Sequence, residues 1–271
     1  MLEHLYKKSL NLRKLINLSK GDIIIDIGSN DGSFLKFFQN KFNLVGVDPT
    51  IKKLGKFYRK DIKKLPNFFD KDFIINKFNK KAKLVTSISM FYDLDNPIKF
   101  AEDVYEVLDN NGLWHLEQSY MPMMLKNNSY DTICHEHLEY YSLKSIKYIF
   151  DKVGFKIIDL EFNDINGGSF QVYAAKRKAF KIQPEAEKRI QSLLEREFEL
   201  ALDSEEPFDA FKERVESNNK QLVDFLKQAK AEGKTVYAYG ASTKGAITLQ
   251  VCGITNELIK GCADRNPMKW G

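Results

Sequence analysis

The chain has 271 residues, of which 43% are hydrophobic and 29% charged, a composition that suits one large folded domain, or one domain and part of another. Its net charge is +5, but basic and acidic residues alternate along the chain, which argues against a nucleic-acid-binding stripe. The three cysteines form no CxxC pair, so neither a disulfide framework nor a zinc ribbon is expected, and we expect a reducing, cytoplasmic setting. The sequence shows no signal-peptide pattern and no apolar run of ~18 residues, so no membrane partner is expected.

The first two thirds of the sequence alternate apolar strands with amphipathic helices. A leucine-rich helix is predicted over residues 2–18, and later helices near Ser33, after Asn96 and over 144–153. Strands are predicted at 23–27, 44–48, 83–89, 113–117, 155–162 and 169–176. This order predicts an α/β fold with a mostly parallel sheet and an antiparallel last strand.

The remaining sequence predicts a helical region and a second α/β unit. Residues 181–231 have helical character, and one long helix starts near Pro207. A strand at 235–239, a glycine loop and a helix follow, and the second unit stops just after its second strand. We therefore expect three parts, with boundaries at 1–178, 179–232 and 233–271. Because one βαβ unit cannot bury both faces of a sheet, the chain is expected to be a fragment of a longer protein.

The loop after the first strand is typical of a ligand-binding turn, because a strand, a tight polar loop and a helix start follow one another. It has two glycines and flanking acids, unlike the three-glycine dinucleotide fingerprint. Asp48 ends the next strand 20 residues after Gly28, where a ribose-binding acid is expected. S-adenosylmethionine (SAM) fits, since it carries a ribose diol and cationic groups but no phosphate. The alternative is that the acids only cap loops. The predicted cofactor residues are Asp26, Gly28, Ser29, Asn30, Asp31, Gly32, Asp48 and Ser87.

A second glycine loop lies at Gly240–Gly245 and differs in charge from the first. It contains no acid and carries Lys244, which favours a phosphate at a helix N-terminus. It lacks the Walker spacing of a P-loop, and a purely structural turn is the alternative.

The stretch from Tyr130 to Tyr141 contains two of the four histidines. In one interpretation His137 removes a proton from substrate while Glu136 or His135 orients it, since histidine is the usual base near neutral pH. In another, His135 and His137 bind a metal, although further ligands are not close in sequence. In the third, both histidines are packed core residues. Cys134 is expected to be a buried structural cysteine rather than a nucleophile.

Five segments, IDIGSNDGSFL, EQSYM, YDTICHEHLEYYS, NGGSF and AYGASTKG, resemble in this order the C-methyltransferase family of bacterial deoxysugar pathways. The similarity runs from about residue 20 to the C-terminus. It implies a class I (Rossmann-like) SAM methyltransferase sheet, SAM at Gly28–Asp31 and Asp48, and a nucleotide-linked keto sugar between two α/β domains. It also implies His137 as the general base, with Glu136 as its acidic neighbour.

The sequence departs from the family pattern at four points. Family members usually begin with a small zinc domain and extend well beyond residue 271. They typically have a tyrosine at the position of Cys134, and an asparagine-containing version of Ser89–Tyr92.

We expect methyl transfer from SAM to a sugar carbon beside a ketone. The expected catalytic residues are His137, Glu136 and His135, with no metal. The expected substrate residues are Glu117, Gln118, Tyr120, Asn166, Gly168 and Ser169 for the sugar, and Gly240, Ser242 and Lys244 for the diphosphate. An O-methyltransferase and a non-catalytic module that binds SAM or a nucleotide sugar are the alternatives. The sugar, the nucleotide and the oligomeric state are left open.

Overall fold

A computed structural model describes residues 1–270, and Asn166 by its backbone alone. The chain divides into two compact units that interleave along the sequence. The first unit comprises Met1–Tyr120 and Leu138–Glu197, and the second comprises Met121–His137 and the chain from Phe198 onward. The boundaries predicted from the sequence, at 178 and 232, instead divide the chain into parts that follow one another.

The first unit is built on a sheet whose strands are β1 (Ile23–Ile27), β2 (Asn43–Val47), β3 (Lys63–Leu65), β4 (Ala82–Ile88), β5 (Leu108–Ser119), β6 (Phe155–Asn163) and β7 (Ser169–Lys176). Their order across the sheet is β3-β2-β1-β4-β5-β7-β6. The pairs from β3 to β5 are parallel, and β7 runs antiparallel to both β5 and β6. The predicted α/β fold with a mostly parallel sheet and an antiparallel last strand is confirmed.

Helices flank this sheet. They are α1 (Leu2–Leu15), α2 (Ile51–Leu54), α3 (Lys71–Phe78), α4 (Pro97–Val107), α6 (Leu143–Val153) and α7 (Pro184–Glu199), while α5 (Met121–Lys126) belongs to the second unit. Every residue of β1 is buried, because a parallel strand in the middle of a sheet is covered on both faces. Trp114 and Phe150 are fully buried, with ring centroids 4.9 Å apart. Burial of each such side chain stabilises the fold by about 1.5–3 kcal/mol.

The helix predicted after Ser33 is wrong in length. The structure has a single 3₁₀ turn at Leu35–Phe37, and Phe38 is already extended. Phe34 and Phe38 are buried with their rings in edge contact. The apolar residues of this segment are therefore buried by tertiary packing although they do not form an α-helix. So short a segment does not nucleate a helix by itself.

Other elements depart from the sequence prediction because their local signals are weak. Strand β3 and helix α3 lie within residues 52–83, where the sequence has only weak periodicity. Asp70 precedes α3 and caps it, since its side chain accepts hydrogen bonds from the amides of Asp72 and Phe73. Strand β5 starts at Leu108, five residues before the predicted start. The asparagines and glycine of that stretch indicate a turn, but pairing with β4 holds them in a bulged strand.

The second unit contains α8 (Glu206–Ala231), β8 (Ala238–Tyr239), α9 (Thr243–Val251) and β9 (Cys262–Ala263). The two short strands are parallel, so the predicted strand–loop–helix–strand order is confirmed. Leu125, Phe211 and Val215 form a small core that joins α5 to α8. Within the described chain, no helix is long and apolar enough to cross a membrane.

Candidate cofactor and catalytic site

The loop after β1 approaches its neighbours too closely for a side chain at its first position. Gly28 has a φ of +76°, and a Cβ there would lie 2.9 Å from Cγ of Met90. Its amide donates to the carbonyl of Val47 at 2.9 Å, which holds the loop against the end of β2. Glycine is therefore required both by conformation and by space.

Tyr58 holds the same loop from the other side, and sequence reasoning missed it. Its hydroxyl lies 2.7 Å from Oγ of Ser29 and donates to the carbonyl of Asn30 at 3.0 Å. Its ring occupies the space that a Cβ would take at Gly32 or Gly46. No local motif marks this tyrosine, because its role arises only when the segment after β2 folds back over the loop.

Asp48 follows β2 directly, as predicted, and its carboxylate organises the site. One oxygen accepts from the amide and the hydroxyl of Thr50, at 2.7 and 2.6 Å. The other accepts from the amide of Asn30 at 2.8 Å. A carboxylate has about four lone-pair positions, so three bonds leave acceptor capacity for a ligand hydroxyl.

Gly28 and Asp48 line one cavity of about 470 Å³ in the first unit. Its walls also include Asn67, Phe68, Phe69, Met90 and Phe100. Phe68 is 84% exposed, which leaves an aromatic face open to a flat ligand. Asn67–Phe69 were not predicted from the sequence, because they follow β3, a strand of only three residues. Their signal was a polar and aromatic cluster directly after Pro66.

Asp26 and Ser87 do not line this cavity. Asp26 is 3% exposed and accepts a hydrogen bond of 2.6 Å from the hydroxyl of Thr86. Burial raises the pKa of Asp26 to about 7. Ser87 is fully buried, and its Oγ accepts from the indole nitrogen of Trp114 at 3.2 Å. Asp31 accepts from the amide and hydroxyl of Ser33, so its contacts are within the loop.

The predicted sugar residues on β5 are interior residues of the first unit. Glu117 is 1% exposed; it accepts from Nε2 of His4 at 2.9 Å and pairs with Lys8. Gln118 is fully buried, and neither polar atom of its side-chain amide has a protein hydrogen-bond partner. Tyr120 donates to the Glu197 carboxylate at 2.8 Å, and burial raises the pKa of its hydroxyl.

The start of β7 lies beside the end of β5. Ser169 pairs in register with Ser119, and its hydroxyl donates to the carbonyl of Ile165 at 2.8 Å. Gly168 accepts at its carbonyl from the amide of Tyr120. The side chain of Asn166, also predicted to bind sugar, lies outside the described part of the chain.

The histidine segment, residues 121–137, belongs to the second unit. His137 is half-buried, and its Nδ1 lies 2.8 Å from the carbonyl oxygen of Thr132. A carbonyl only accepts, so Nδ1 carries the hydrogen and Nε2 holds the lone pair of the neutral ring. The side chains of His135 and Glu136 are exposed, and the observed partner of Nδ1 is the backbone of Thr132.

Within the described residues, no group of three or more His, Cys, Asp or Glu side chains is arranged to hold a metal ion. Cys134 is half-buried rather than fully buried. The expectation that it is a buried structural cysteine therefore holds only in part.

The second glycine loop is closed by an acid that sequence reasoning did not place there. Gly240 has a φ of +101°, and Oγ of Ser242 accepts from the amide of Gly245 at 3.0 Å. Asp264, at the end of β9, accepts from the amide of Ala241 at 2.9 Å. The pKa of Asp264 is lowered, chiefly by backbone hydrogen bonds, so the carboxylate is charged beside the loop. This arrangement parallels Asp48 and Asn30 in the first unit.

Comparison with known proteins gives matches over the whole chain. A family model for a methyltransferase domain matches residues 2–160, more than half of the chain, and a model for a C-methyltransferase C-terminal domain matches residues 164–271. The C-methyltransferase NovU of Streptomyces niveus is 30% identical over 274 positions, which cover 100% of this chain and 64% of that protein. The chain thus spans less than two thirds of the length of this relative.

Solved structures share the fold over about two thirds of this chain. An S-adenosylmethionine-dependent methyltransferase of Clostridium acetobutylicum superposes with a TM-score of 0.51 at 13% identity, over 65% of this chain and 92% of that chain. The YcgJ protein of Bacillus subtilis has the same TM-score and identity, over 65% of this chain and 99% of that chain. The chain belongs to the methyltransferase domain family and has the class I fold of SAM-dependent methyltransferases.

Proposed function

We propose that the protein transfers a methyl group from SAM to a carbon beside the keto group of a nucleotide-linked sugar. The observation that carries this proposal is the match to C-methyltransferases along the whole chain, together with an intact glycine loop and Asp48 at one cavity. Gly28 offers close backbone approach, Asp48 has acceptor capacity for a ribose diol, and Phe68 offers a face for an adenine ring. These residues fit SAM, which when bound supplies a methyl group on a sulfonium.

His137 acts as the general base in this proposal. Its Nε2 holds the lone pair and takes the proton from the carbon next to the ketone. The electron pair left on that carbon, delocalised into the carbonyl, would form the new bond to the methyl group, while the bond between that methyl group and sulfur breaks, its electron pair stays on sulfur and S-adenosylhomocysteine leaves. The side chains of His135 and Glu136 are exposed, and the imidazole is already oriented by the Thr132 carbonyl. We therefore propose that these two side chains contact the substrate and do not orient the imidazole.

The second unit is proposed to hold the nucleotide. Lys244 and the loop from Gly240 provide a cation and amides for a diphosphate, while the amide of Ala241 is already bonded to Asp264. Because a carboxylate repels phosphate, the diphosphate is expected at the Lys244 end of the loop. Asp264 is better suited to a hydroxyl or a base nitrogen that donates a hydrogen bond.

The cofactor assignment is tested by calorimetric titration of SAM and S-adenosylhomocysteine into the 271-residue chain. Asp48→Ala is expected to weaken binding roughly 10- to 100-fold, since a hydrogen bond to a charged group contributes about 1.5–3 kcal/mol. Asp48→Asn keeps an acceptor and is expected to lose less. Glu102→Ala, which removes an exposed charge on α4, serves as the control. Equal affinity in all four proteins would contradict the assignment.

The reaction is tested with SAM and nucleotide-linked keto sugars in deuterated water. The wild-type chain is expected to exchange the proton beside the ketone and to methylate that carbon. His137→Gln is expected to lose both activities while it still binds SAM. A product methylated on oxygen without carbon exchange would identify an O-methyltransferase, and SAM binding without any turnover would identify a binding module.

A further inference from the structure

The position of the Thr132 carbonyl determines which nitrogen of His137 holds the lone pair. The carbonyl lies 2.8 Å from Nδ1 and places the hydrogen there. If the carbonyl moved away, Nε2–H would become available as the alternative tautomer, and Nε2 would then be a donor instead of an acceptor. The feature that holds Thr132 in place is therefore important for a base at this position.

Thr132 lies in a tight 3₁₀ turn, Tyr130–Thr132, and is 5% exposed. Its hydroxyl donates to the carbonyl of Ser129 at 2.7 Å, and the amide of Ile133 donates to the carbonyl of Tyr130 at 2.9 Å. These bonds tie the residues of the turn to one another. Any contact that anchors Tyr130 therefore also anchors the Thr132 carbonyl.

Tyr130 anchors this turn to the helices of the second unit. Its hydroxyl donates to Oδ1 of Asn219 on α8 at 2.7 Å and lies 3.9 Å from Sγ of Cys252, which follows α9. Burial raises the pKa of this hydroxyl, so it stays protonated as a donor. Its ring packs on the core formed by Leu125, Phe211 and Val215.

A second anchor lies a few residues earlier in the histidine segment. Arg214 of α8 donates from Nη2 to the carbonyl of Leu125 at 2.8 Å and from Nε to Oδ1 of Asn128 at 3.0 Å. These bonds hold the start of the segment. The Tyr130–Asn219 hydrogen bond is a polar contact by which α8 reaches the turn next to His137.

We propose that Tyr130, through its hydrogen bond to Asn219, is a positioning residue that holds the Thr132 carbonyl and so keeps His137 in the tautomer with its lone pair on Nε2. The inference rests on the proposed function for the chemical role of Nε2, whereas the tautomer is measurable without any substrate. Since α9 packs against the same turn and begins at the second glycine loop, a nucleotide held there would act on the same anchor.

The test uses the whole chain labelled with ¹⁵N-histidine, because four histidines give a spectrum that His→Gln variants can assign. The wild-type signal of His137 is expected to show Nδ1–H. In Tyr130→Phe and in Asn219→Ala it is expected to move toward a mixture of tautomers. Asn219→Asp keeps the acceptor oxygen and is expected to match the wild type. Tyr237→Phe, at a tyrosine that is 63% exposed in the same unit, is the matched control.

The same variants are also compared in steady-state kinetics with the keto-sugar substrate. Tyr130→Phe is expected to lower kcat roughly 10- to 100-fold, as for a misplaced catalytic group, with the KM for SAM unchanged. The Tyr130→Phe/Asn219→Ala double variant is expected to lose no more than either single variant, since both remove one bond.

The outcomes separate this inference from the proposed function. A wild-type tautomer in both Tyr130→Phe and Asn219→Ala would overturn the positioning role, whatever the activity. A tautomer shift in a chain that methylates nothing would contradict the proposed function alone. Loss of helical circular-dichroism signal for Tyr130→Phe, but not for Asn219→Ala, would assign Tyr130 to folding and overturn the inference.

Discussion

Two aspartates that the sequence assigns to the same ligand have different surroundings. Asp48 lies beyond the end of β2 and lines the cavity. Asp26 lies within β1, and its buried carboxylate accepts a hydrogen bond from Thr86 on the neighbouring strand β4. The glycine loop motif contains Asp26, but the motif does not tell whether a strand residue faces a ligand or the core. Asp26 is 3% and Asp48 8% exposed, so at the scale of the residue the position relative to the strand end, more than burial, separates the two roles.

The pH dependence of folding stability is expected to report on Asp26. Its pKa is about 7 in the folded chain and 3.8 as a free side chain. Between these values the folded state holds a proton that the unfolded state has released, so this group lowers the free energy of unfolding as the pH rises from about 4 to 7. The slope from one proton is at most about 1.4 kcal/mol per pH unit.

Asp26→Asn removes this titration while an amide oxygen still accepts from Thr86. The variant is expected to gain stability relative to the wild type as the pH rises from 4 to 7, measured by urea unfolding at several pH values. A difference between the two proteins that stays constant over this range would contradict the assignment.

At the scale of the element, the glycine loop depends on a side chain from another segment. Tyr58 is 7% exposed, and its hydroxyl contacts Ser29 and Asn30. Asn30 has a φ of +49°, in the left-handed region that few non-glycine residues adopt, although asparagine does so more readily than most. The loop geometry is thus a property of two elements together.

Tyr58→Phe keeps the ring against Gly32 and Gly46 and removes only the hydroxyl. We expect a stability loss of about 1 kcal/mol, typical of one net hydrogen bond. We also expect roughly fivefold weaker SAM binding, because Asn30 is released next to Asp48. Thermal unfolding and calorimetry measure the two effects. Tyr148→Phe, at an exposed tyrosine on α6, is the control, and equal SAM affinity in both variants would contradict the role.

At the scale of the whole molecule, the two units are each assembled from separate stretches of the chain. The histidine segment leaves the first unit after β5 and joins a core with Phe211 and Val215, about 80 residues later in sequence. Non-local contacts of this kind are invisible to sequence periodicity. The candidate base therefore folds with the helices of the second unit.

Phe211→Ala is expected to loosen this second core alone. Phe211 is 9% exposed, and truncation of a buried phenylalanine costs about 3–5 kcal/mol. Hydrogen exchange is expected to accelerate in residues 121–137 and in α8, while amides of β1, β4 and β5 keep their protection. Phe225→Ala, at a phenylalanine that is 64% exposed, is the control. Equal acceleration across the central sheet would contradict this division.

The sequence by itself determined the α/β class, the position of Asp48 and the strand–loop–helix order of the second unit. These features depend on local signals: runs of apolar residues, glycines, and an acid directly after a strand. It also identified the histidine segment, because four titratable residues follow one another there. Local chemistry is sufficient wherever a feature is defined by neighbours in sequence.

Tertiary structure alone decided which of these residues share a site. In the folded chain Asp26 and Ser87 are buried and bonded to protein partners. Tyr58, Asn67 and Phe68 lie at the first glycine loop or the cavity beside it. Asp264 accepts a hydrogen bond from the second glycine loop. Tertiary structure also reduced the predicted helix after Ser33 to one turn. The physical reason is the same in each case: burial and hydrogen bonding between residues distant in sequence outweigh the weaker preferences of short local segments.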